Sequence, residues 1–417
     1  MGNLGSFGIF GDGKELAQIA LARCFKKGDF RSGYYRDQTI MLALNELTVG
    51  QFFAALYGHA DIDAEPQSGG RQMVAHFSTH SLNDDGSWKN LNEQYNSASD
   101  ISCTAGQMPR LVGLAQASKI FRKNKLLKEW TNFSCNGDEI AWGTIGNAST
   151  SEGHFFEAIN AAGVLQIPMV ISVWDDGYGI SVDSKHQTTK ENISEILKGF
   201  QRNKKEKGIE ILKVNGWDYP ALIETYEKAE KVARKEHVPV LIHVTEMTQP
   251  QGHSTSGSHE RYKSKERLEW EKDYDCLELF KKWLIDNSIA SNDELTKMRS
   301  DIKKEVSKQK NMAWKAFQKP ILEELNQAVI LLDKLIEESP NGVFIKPIND
   351  KLKFDAKLNP YRKNIFSAIR SALRIVRGEY TNTKSQLKKM LSDWNTQNQE
   401  RYSSHLHSKS EQSIIRV

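Results

Sequence analysis

Between residues 140 and 181 the chain changes its hydrophobic rhythm twice. Residues 140–146 form a short apolar run closed by glycine, and GNASTSEG follows, rich in small and hydroxyl residues. Residues 152–166 then place Phe155, Phe156, Ile159, Ala162 and Val164 with Leu165 at helical spacing, before a nearly unbroken apolar run at 168–174. Short continuous apolar runs of this kind suit strands buried on both faces. The pattern predicts a strand, a helix and a parallel strand with a right-handed crossover. Asn147 would leave the end of the first strand, and Asp175 and Asp176 the end of the second. In an open parallel sheet those ends share one edge, where ligands bind. The polar loop also precedes a helix N-terminus, with free N–H groups and a partial positive charge. Two oxygen-bearing loops beside such an end suit a diphosphate held through Mg²⁺, which takes oxygen ligands. An ordinary strand-helix-strand unit with a capped helix and a polar turn would show the same pattern.

The flanking segments extend this picture. Gly11-Asp12-Gly13 reads as a turn before a helix at 14–26. An amphipathic helix is expected from about Thr39 into the fifties, after an aromatic and basic loop. His76 and His80 stand four apart in a loop with no evident third ligand, so zinc is not expected; His76 would line an entrance or pack locally. Ser102 or Thr104 would cap a helix opened by Gln107, Met108 and Pro109. IEILKV and residues 238–247 read as further strands, separated by a charged helix at 219–236. The second of these runs into TQPQGHSTSGSHERYK. A histidine there has an ordinary pKa near 6.5 and can move protons at neutral pH. Helices follow to about 319, one of them starting at Asn292 with Asn or Ser as its cap. Beyond Pro320 the reading is a helix at 321–338, an extended or irregular stretch at 343–360, and basic helices at 365–377 and 383–401. The last sixteen residues read as disordered.

Composition narrows the class. The 417 residues suggest two or three structural units with ample core. No apolar run approaches about 18 residues, so no membrane-spanning helix is expected. The N-terminus lacks a signal pattern, and the four scattered cysteines form no CxxC, which fits a reducing cytoplasm. From Pro347 onward there are 14 Lys/Arg against 6 Asp/Glu. Such a basic face could meet nucleic acid, but aromatic residues are sparse among the charges. A docking or linker segment is the reading, with no nucleic acid and no membrane among the partners.

GNASTSEG…WDDGYGIS resembles the thiamine-diphosphate motif of the alpha subunit of 2-oxoacid dehydrogenases, GDGxxxEG followed at similar spacing by NNxYxIS. The resemblance covers about residues 1–320 and implies an α/β fold, a parallel sheet flanked by helices that binds thiamine diphosphate. Residues 321–417 would be a basic helical extension or linker. By that resemblance Asn147, Asp176 and the Tyr178 carbonyl hold Mg²⁺, and Asp175 lies just behind them. Tyr35 and Arg36 match a pair that contacts the diphosphate, and Arg suits phosphate through its planar fork. Ser102, Thr104, Gly146, Ala148 and Ser149 would line the cofactor. His253 matches the active-site histidine of the mobile loop GHSTS; Ser254 falls where some relatives are phosphorylated, and no kinase is inferred. The implied reaction is oxidative decarboxylation of a 2-oxoacid, with the acyl unit passed to a lipoyl group on an acyltransferase.

The GRQM segment at 70–73 favours branched-chain substrates such as 2-oxoisovalerate over pyruvate. A beta subunit or beta half, expected within a heterotetramer, would supply the pyrimidine-binding side, so this chain should be inactive alone. It is either a separate subunit or the first half of a longer polypeptide. Four positions depart from the family pattern. Asn147 replaces the usual Asp and Asp176 the usual Asn, which keeps one carboxylate among the metal ligands. Gly106 stands where Thr is common, at a potassium site of some relatives. Gln249 stands where an Arg contacts the diphosphate; Arg36 or a partner's cation would compensate. The other readings are a pyruvate dehydrogenase alpha component, and a non-catalytic scaffold that has lost metal binding.

Overall fold

A computed structural model of the chain describes residues 8–72, 76–83, 85–254, 259–358, 360–403, 411 and 413. Its strands are β1 (Phe30–Ser32), β2 (Asn96–Ser97), β3 (Ala141–Gly146), β4 (Met169–Trp174), β5 (Tyr178–Gly179), β6 (Val182–Asp183), β7 (Glu210–Asn215) and β8 (Val240–Thr245). Six of them form one sheet in the order β2-β1-β3-β4-β8-β7, and every pairing in it is parallel. β5 and β6 form a small antiparallel ribbon beyond the end of β4.

Alternation along the central strands explains their continuous apolar runs. Trp142, Val170, Trp174 and Ile242 face one core, shared with Leu16 and Leu21 of α1 (Glu15–Cys24) and Leu222 and Tyr226 of α7 (Tyr219–Lys231). Ala141, Ile145, Ile171 and Leu241 face the other, with Met108 and Leu111 of α4 (Gln107–Lys123) and Phe155 and Ile159 of α5 (Gly153–Leu165). Helices on both faces are what a parallel sheet requires, since neither face can be left to water. The predicted strand-helix-strand unit is β3, α5 and β4, with Gly146 opposite Trp174 in the register. The two strand ends that carry Asn147 and Asp175 are therefore adjacent.

Three expected elements take a different form. The helix expected from Thr39 is two, α2 (Gln38–Ala43) and α3 (Val49–Tyr57). Asn45 at φ 59° turns the chain between them, and Thr48 restarts it with a capping box to Gln51. A short α6 (Ile193–Ile196) precedes β7, and α8 (Lys265–Asp273) and α9 (Cys276–Asp286) follow β8. Pro320 does not end a helix: α10 runs unbroken over Asn292–Glu338, opened by Ser291 and Glu294 as a capping box. Proline removes a bond to the carbonyl four residues back, and that carbonyl belongs to exposed Ala316, where water can serve it.

The stretch expected to be extended is α11 (Gly342–Leu358), despite Pro347. Ile345, Asn349 and Leu352 are buried on one helical stripe, and Asn349 Nδ2 donates to Asp333 Oδ1 on α10 at 2.8 Å. Tertiary packing overrode the breaker signal. With α12 (Arg362–Ile375) and α13 (Asn382–Ser403), these helices share an apolar core drawn from residues 321–394. Most of the last sixteen residues, for which disorder was expected, lie outside the described residues.

Candidate functional site

The sheet delivers its chemistry to one edge. β1 ends at Ser32 and leads to Tyr34, Tyr35 and Arg36. β3 leads into the tight turn Asn147–Ser151 ahead of α5. β4 leads to Asp175, Asp176 and Tyr178, and β8 to Thr248, Gln249 and His253. Beyond β2 come Ser102 and Thr104. These segments enclose a cavity of about 620 Å³. It is lined by Tyr35, Arg36, Ser102, Thr104, Gly146, Asn147, Ala148, Ser149, Asp176, Tyr178 and His253. The loops after β3 and β4 touch: a Cβ built on Gly179 would lie 2.6 Å from the Ala148 Cβ. Only glycine allows that approach.

Electrostatically the cavity is cationic around the Asp176 carboxylate, with a second carboxylate, the exposed Glu152, in its lining. Asp176 Oδ1 accepts from the Tyr178 N–H at 3.1 Å, and Oδ2 accepts from Lys14 Nζ at 2.9 Å. Burial pushes the Asp176 carboxyl up, but Lys14 and then Arg36 outweigh it and hold the group below its ordinary value. Burial draws the Lys14 ammonium down, opposed by Asp176 and reinforced by Arg36. Arg36 donates to the Phe10 carbonyl at 2.6 Å and to the His253 carbonyl at 3.0 Å. It also lies 3.0 Å from His253 Nδ1. A guanidinium only donates, so Nδ1 accepts and the imidazole proton sits on Nε2. Burial, then the Arg36 charge, push the His253 pKa down to about 4. At neutral pH this side chain is an uncharged N–H donor.

Several expected residues have other duties. Asp175 turns away from the cavity: Oδ1 accepts from the Gly177 N–H at 2.9 Å and Oδ2 meets His243 Nε2 at 2.9 Å. Ser102 and Thr104 do not cap α4, whose cap is Gly106 with no side-chain bond. Ser102 Oγ instead meets the buried His76 Nε2 at 2.6 Å. His80 is bonded elsewhere, to the Pro66 carbonyl at 3.0 Å. The loop after His253 lies outside the described residues at 255–258, as do Met73 of the GRQM segment and the two residues after it.

Three cations escaped the sequence reading. Lys14 occupies the N-cap position of α1 without capping it, and a cation there opposes the helix dipole; that mismatch was the available signal. Lys263 Nζ binds Glu271 at 2.7 Å and the Gln249 carbonyl at 3.1 Å. Arg267 donates to the Asp176 carbonyl at 2.8 Å, fixing the loop from behind. Both come from the KSKER run, which reads as an ordinary charged helix start.

A parallel sheet with a cation-rich pocket at its carboxyl edge is the layout of a protein that binds anionic cofactors or substrates. The family described as Dehydrogenase E1 component matches residues 3–321, and the chain belongs to that family. The chain is 27% identical over 341 residues to 2-oxoisovalerate dehydrogenase subunit alpha 1, mitochondrial, of Arabidopsis thaliana, covering 81% of this chain and 63% of that protein. It is 28% identical over 289 residues to 2-oxoisovalerate dehydrogenase subunit alpha of Bacillus subtilis (strain 168), covering 69% and 76%. To pyruvate dehydrogenase E1 component subunit alpha of Acholeplasma laidlawii it is 26% identical over 298 residues, covering 71% and 72%. The matches span 63% and 58% of two plant relatives, less than two thirds of either. Among the described residues, no helix is long and apolar enough to cross a membrane.

Proposed function

We propose that this chain is the diphosphate-holding half of a thiamine-diphosphate-dependent 2-oxoacid dehydrogenase. Its substrates would be branched-chain 2-oxoacids such as 2-oxoisovalerate, with the acyl group passed to a lipoyl-bearing acyltransferase. The observation that carries this reading is the meeting of Asn147, Asp176 and Arg36 on one cavity, from three neighbouring strand ends. The donor set fits Mg²⁺, being all oxygen: the Asn147 amide, the Asp176 carboxylate and the Tyr178 carbonyl. Among the described residues the buried Asn147 Nδ2 has no hydrogen-bond partner, so that end of the amide is held by none of them.

In this reading Tyr35 and Arg36 hold the diphosphate, while Gly146, Ala148, Ser149, Ser102 and Thr104 shape its seat. Thiamine diphosphate, when bound, supplies the carbanion chemistry of decarboxylation. The chain's own part is to bind, orient and handle a proton. His253 keeps that proton on Nε2, because Arg36 closes Nδ1. It can lend this N–H to a developing negative charge on the reacting oxygen. A beta subunit completes the pocket within a heterotetramer, and the chain is inactive without it. The division near residue 320 and a docking role for the helical extension belong to the same proposal. A cytoplasmic location does too, resting on the four scattered cysteines.

Calorimetric titration of thiamine diphosphate into the chain assembled with its beta partner tests the proposal. Tight binding with Mg²⁺, lost with chelator, is the expected result. No binding in an assembled mixture would sink it and favour the scaffold reading, which draws on the uncharged Asn147 and the Lys14 tether on Asp176. Turnover of 2-oxoisovalerate against pyruvate separates the two substrate assignments.

A further inference from the structure

The turn Gly11-Asp12-Gly13 is wedged against the site. A Cβ on Gly11 would lie 2.4 Å from the Arg36 carbonyl oxygen, and one on Gly13, at φ +83°, 2.5 Å from the Thr248 carbonyl oxygen. The N-terminal segment therefore packs backbone to backbone against the loops after β1 and β8, and the next residue is Lys14. Its side chain is 1% exposed, yet its ammonium reaches the cavity wall between Asp176 and Gln249. The three N–H groups meet Gln249 Oε1 at 2.7 Å, Asp176 Oδ2 at 2.9 Å and the Thr248 carbonyl at 3.0 Å.

Two of these three acceptors are uncharged. Among the described residues Asp176 is the one carboxylate bonded to Lys14 or Arg36; Glu152 lines the cavity but is exposed, Asp12 is half-buried on the turn, and Glu271 is shared by Lys263 and Arg267. A buried excess of positive charge is costly without an anion to complete it. Exchanging the neutral Gln249 oxygen for an anionic oxygen would pair the ammonium with an opposite charge in place of a dipole. The other amide atom of Gln249 holds it weakly among the described residues, through a long bond of 3.3 Å to the Phe10 carbonyl.

We infer that Lys14 is a diphosphate-binding residue of this protein, a cation supplied from the N-terminal turn to the place beside the uncharged Gln249. It releases Gln249 to take a diphosphate oxygen while keeping Asp176 in position. The inference rests on the functional reading above.

The test uses the full chain assembled with its partner subunit, titrated calorimetrically in Mg²⁺ with thiamine diphosphate and separately with inorganic diphosphate. Lys14→Met should weaken binding of both ligands at least about 30-fold, the loss of one charge-assisted contact. Because that variant buries Asp176 without its partner, assembly and melting temperature are measured beside it. Lys14→Met with Gln249→Arg returns a cation to a side chain whose oxygen now lies 2.7 Å from Nζ, and should recover most of the affinity. Wild-type affinity in an assembled Lys14→Met complex would overturn the inference and leave the dehydrogenase reading standing. Binding of inorganic diphosphate but not thiamine diphosphate, with the same loss on Lys14→Met, would keep the inference and overturn that reading. If the wild-type complex binds neither ligand, both fall. Failure of the double variant to recover affinity while it folds and assembles would also count against Lys14 as the binding cation.

Discussion

Two buried ionic clusters each draw one cation from around the end of β1, Arg31 in one and Arg36 in the other, and they are built on opposite plans. In the first, Arg31 donates to Asp37 Oδ2 at 2.6 Å and to Asp100 Oδ1 at 2.7 Å, with Ser97 and Thr144 bonded in turn. All three charged groups are essentially unexposed. Burial pushes Asp100 up, Arg31 opposes and Asp37 adds to the rise, so it titrates at about 7. One cation thus faces two acids, one of which readily takes a proton. With that proton the cluster is balanced, and none of its three charged residues lines the cavity described above. In the second, Lys14 and Arg36 face Asp176, and the surplus charge opens onto a cavity. The first plan pins β1 and β2 to the loop that leads on to α4. The second leaves charge unmet for a ligand to complete. Burial of charge alone does not mark a site; the imbalance and the open side do.

The largest effect is expected at the closed cluster. Arg31→Met should lower the unfolding free energy by about 3–5 kcal/mol, because it strands buried carboxylates, as measured by urea denaturation. Arg36→Met should cost much less stability and act mainly on ligand affinity. Equal losses of stability in the two variants would erase the distinction. Next, Asp176→Asn removes the one carboxylate from the proposed donor set. Mg²⁺-dependent thiamine diphosphate binding should then fall by more than the roughly 10–100-fold typical of residues behind the metal ligands. An unchanged affinity would remove Asp176 from the metal.

The neutral histidines give a pH signature. Burial, then Arg36, lower His253 to about 4, and burial, then Arg122, lower His237 to about 4. Unfolded histidines take up protons near 6.5, so the unfolded state binds more protons as pH falls. Stability from these residues is full above about 6.5 and drains away towards pH 4. His237→Gln should flatten the melting temperature across that window. Arg36→Gln should raise the His253 titration from about 4 towards its ordinary value, read from imidazole chemical shifts. A His253 that still titrates near 4 would mean that burial alone sets it. Smallest of all, Thr48→Ala breaks an exposed capping box whose bonds run only between Thr48 and Gln51 and should cost about 1 kcal/mol with no effect on ligand binding. A change in affinity there would show the site to be less local than the comparison assumes.

The parts that could be read from the chain are those written in short-range order. The strands of the β3-α5-β4 unit, their adjacency and the emergence of Asn147 and Asp176 at one edge follow from periodicities within some 35 residues. Tyr35, Arg36 and His253 were recognisable from motif and position, and all line the cavity; their chemical roles stay with the proposal. α11 was misread because Pro347 and Asn349-Asp350 look like breakers locally. Its helix is secured from outside, by Asp333 and the apolar stripe on α10.

Lys14 shows the difference most clearly. Its neighbours announced only a glycine turn and a helix start. Its partners lie 162 and 235 residues away, and nothing local encodes which acceptors a long flexible side chain will meet once three loops converge. The same holds for the neutral state of His253, which is set by burial and then by Arg36, 217 positions earlier. Local pattern settles the type of most elements and the pairing of β3 with β4, because each residue's conformational preference and burial face depend on near neighbours. Charge balance and protonation depend on which groups are excluded from water together, and that is decided only when the sheet edge closes.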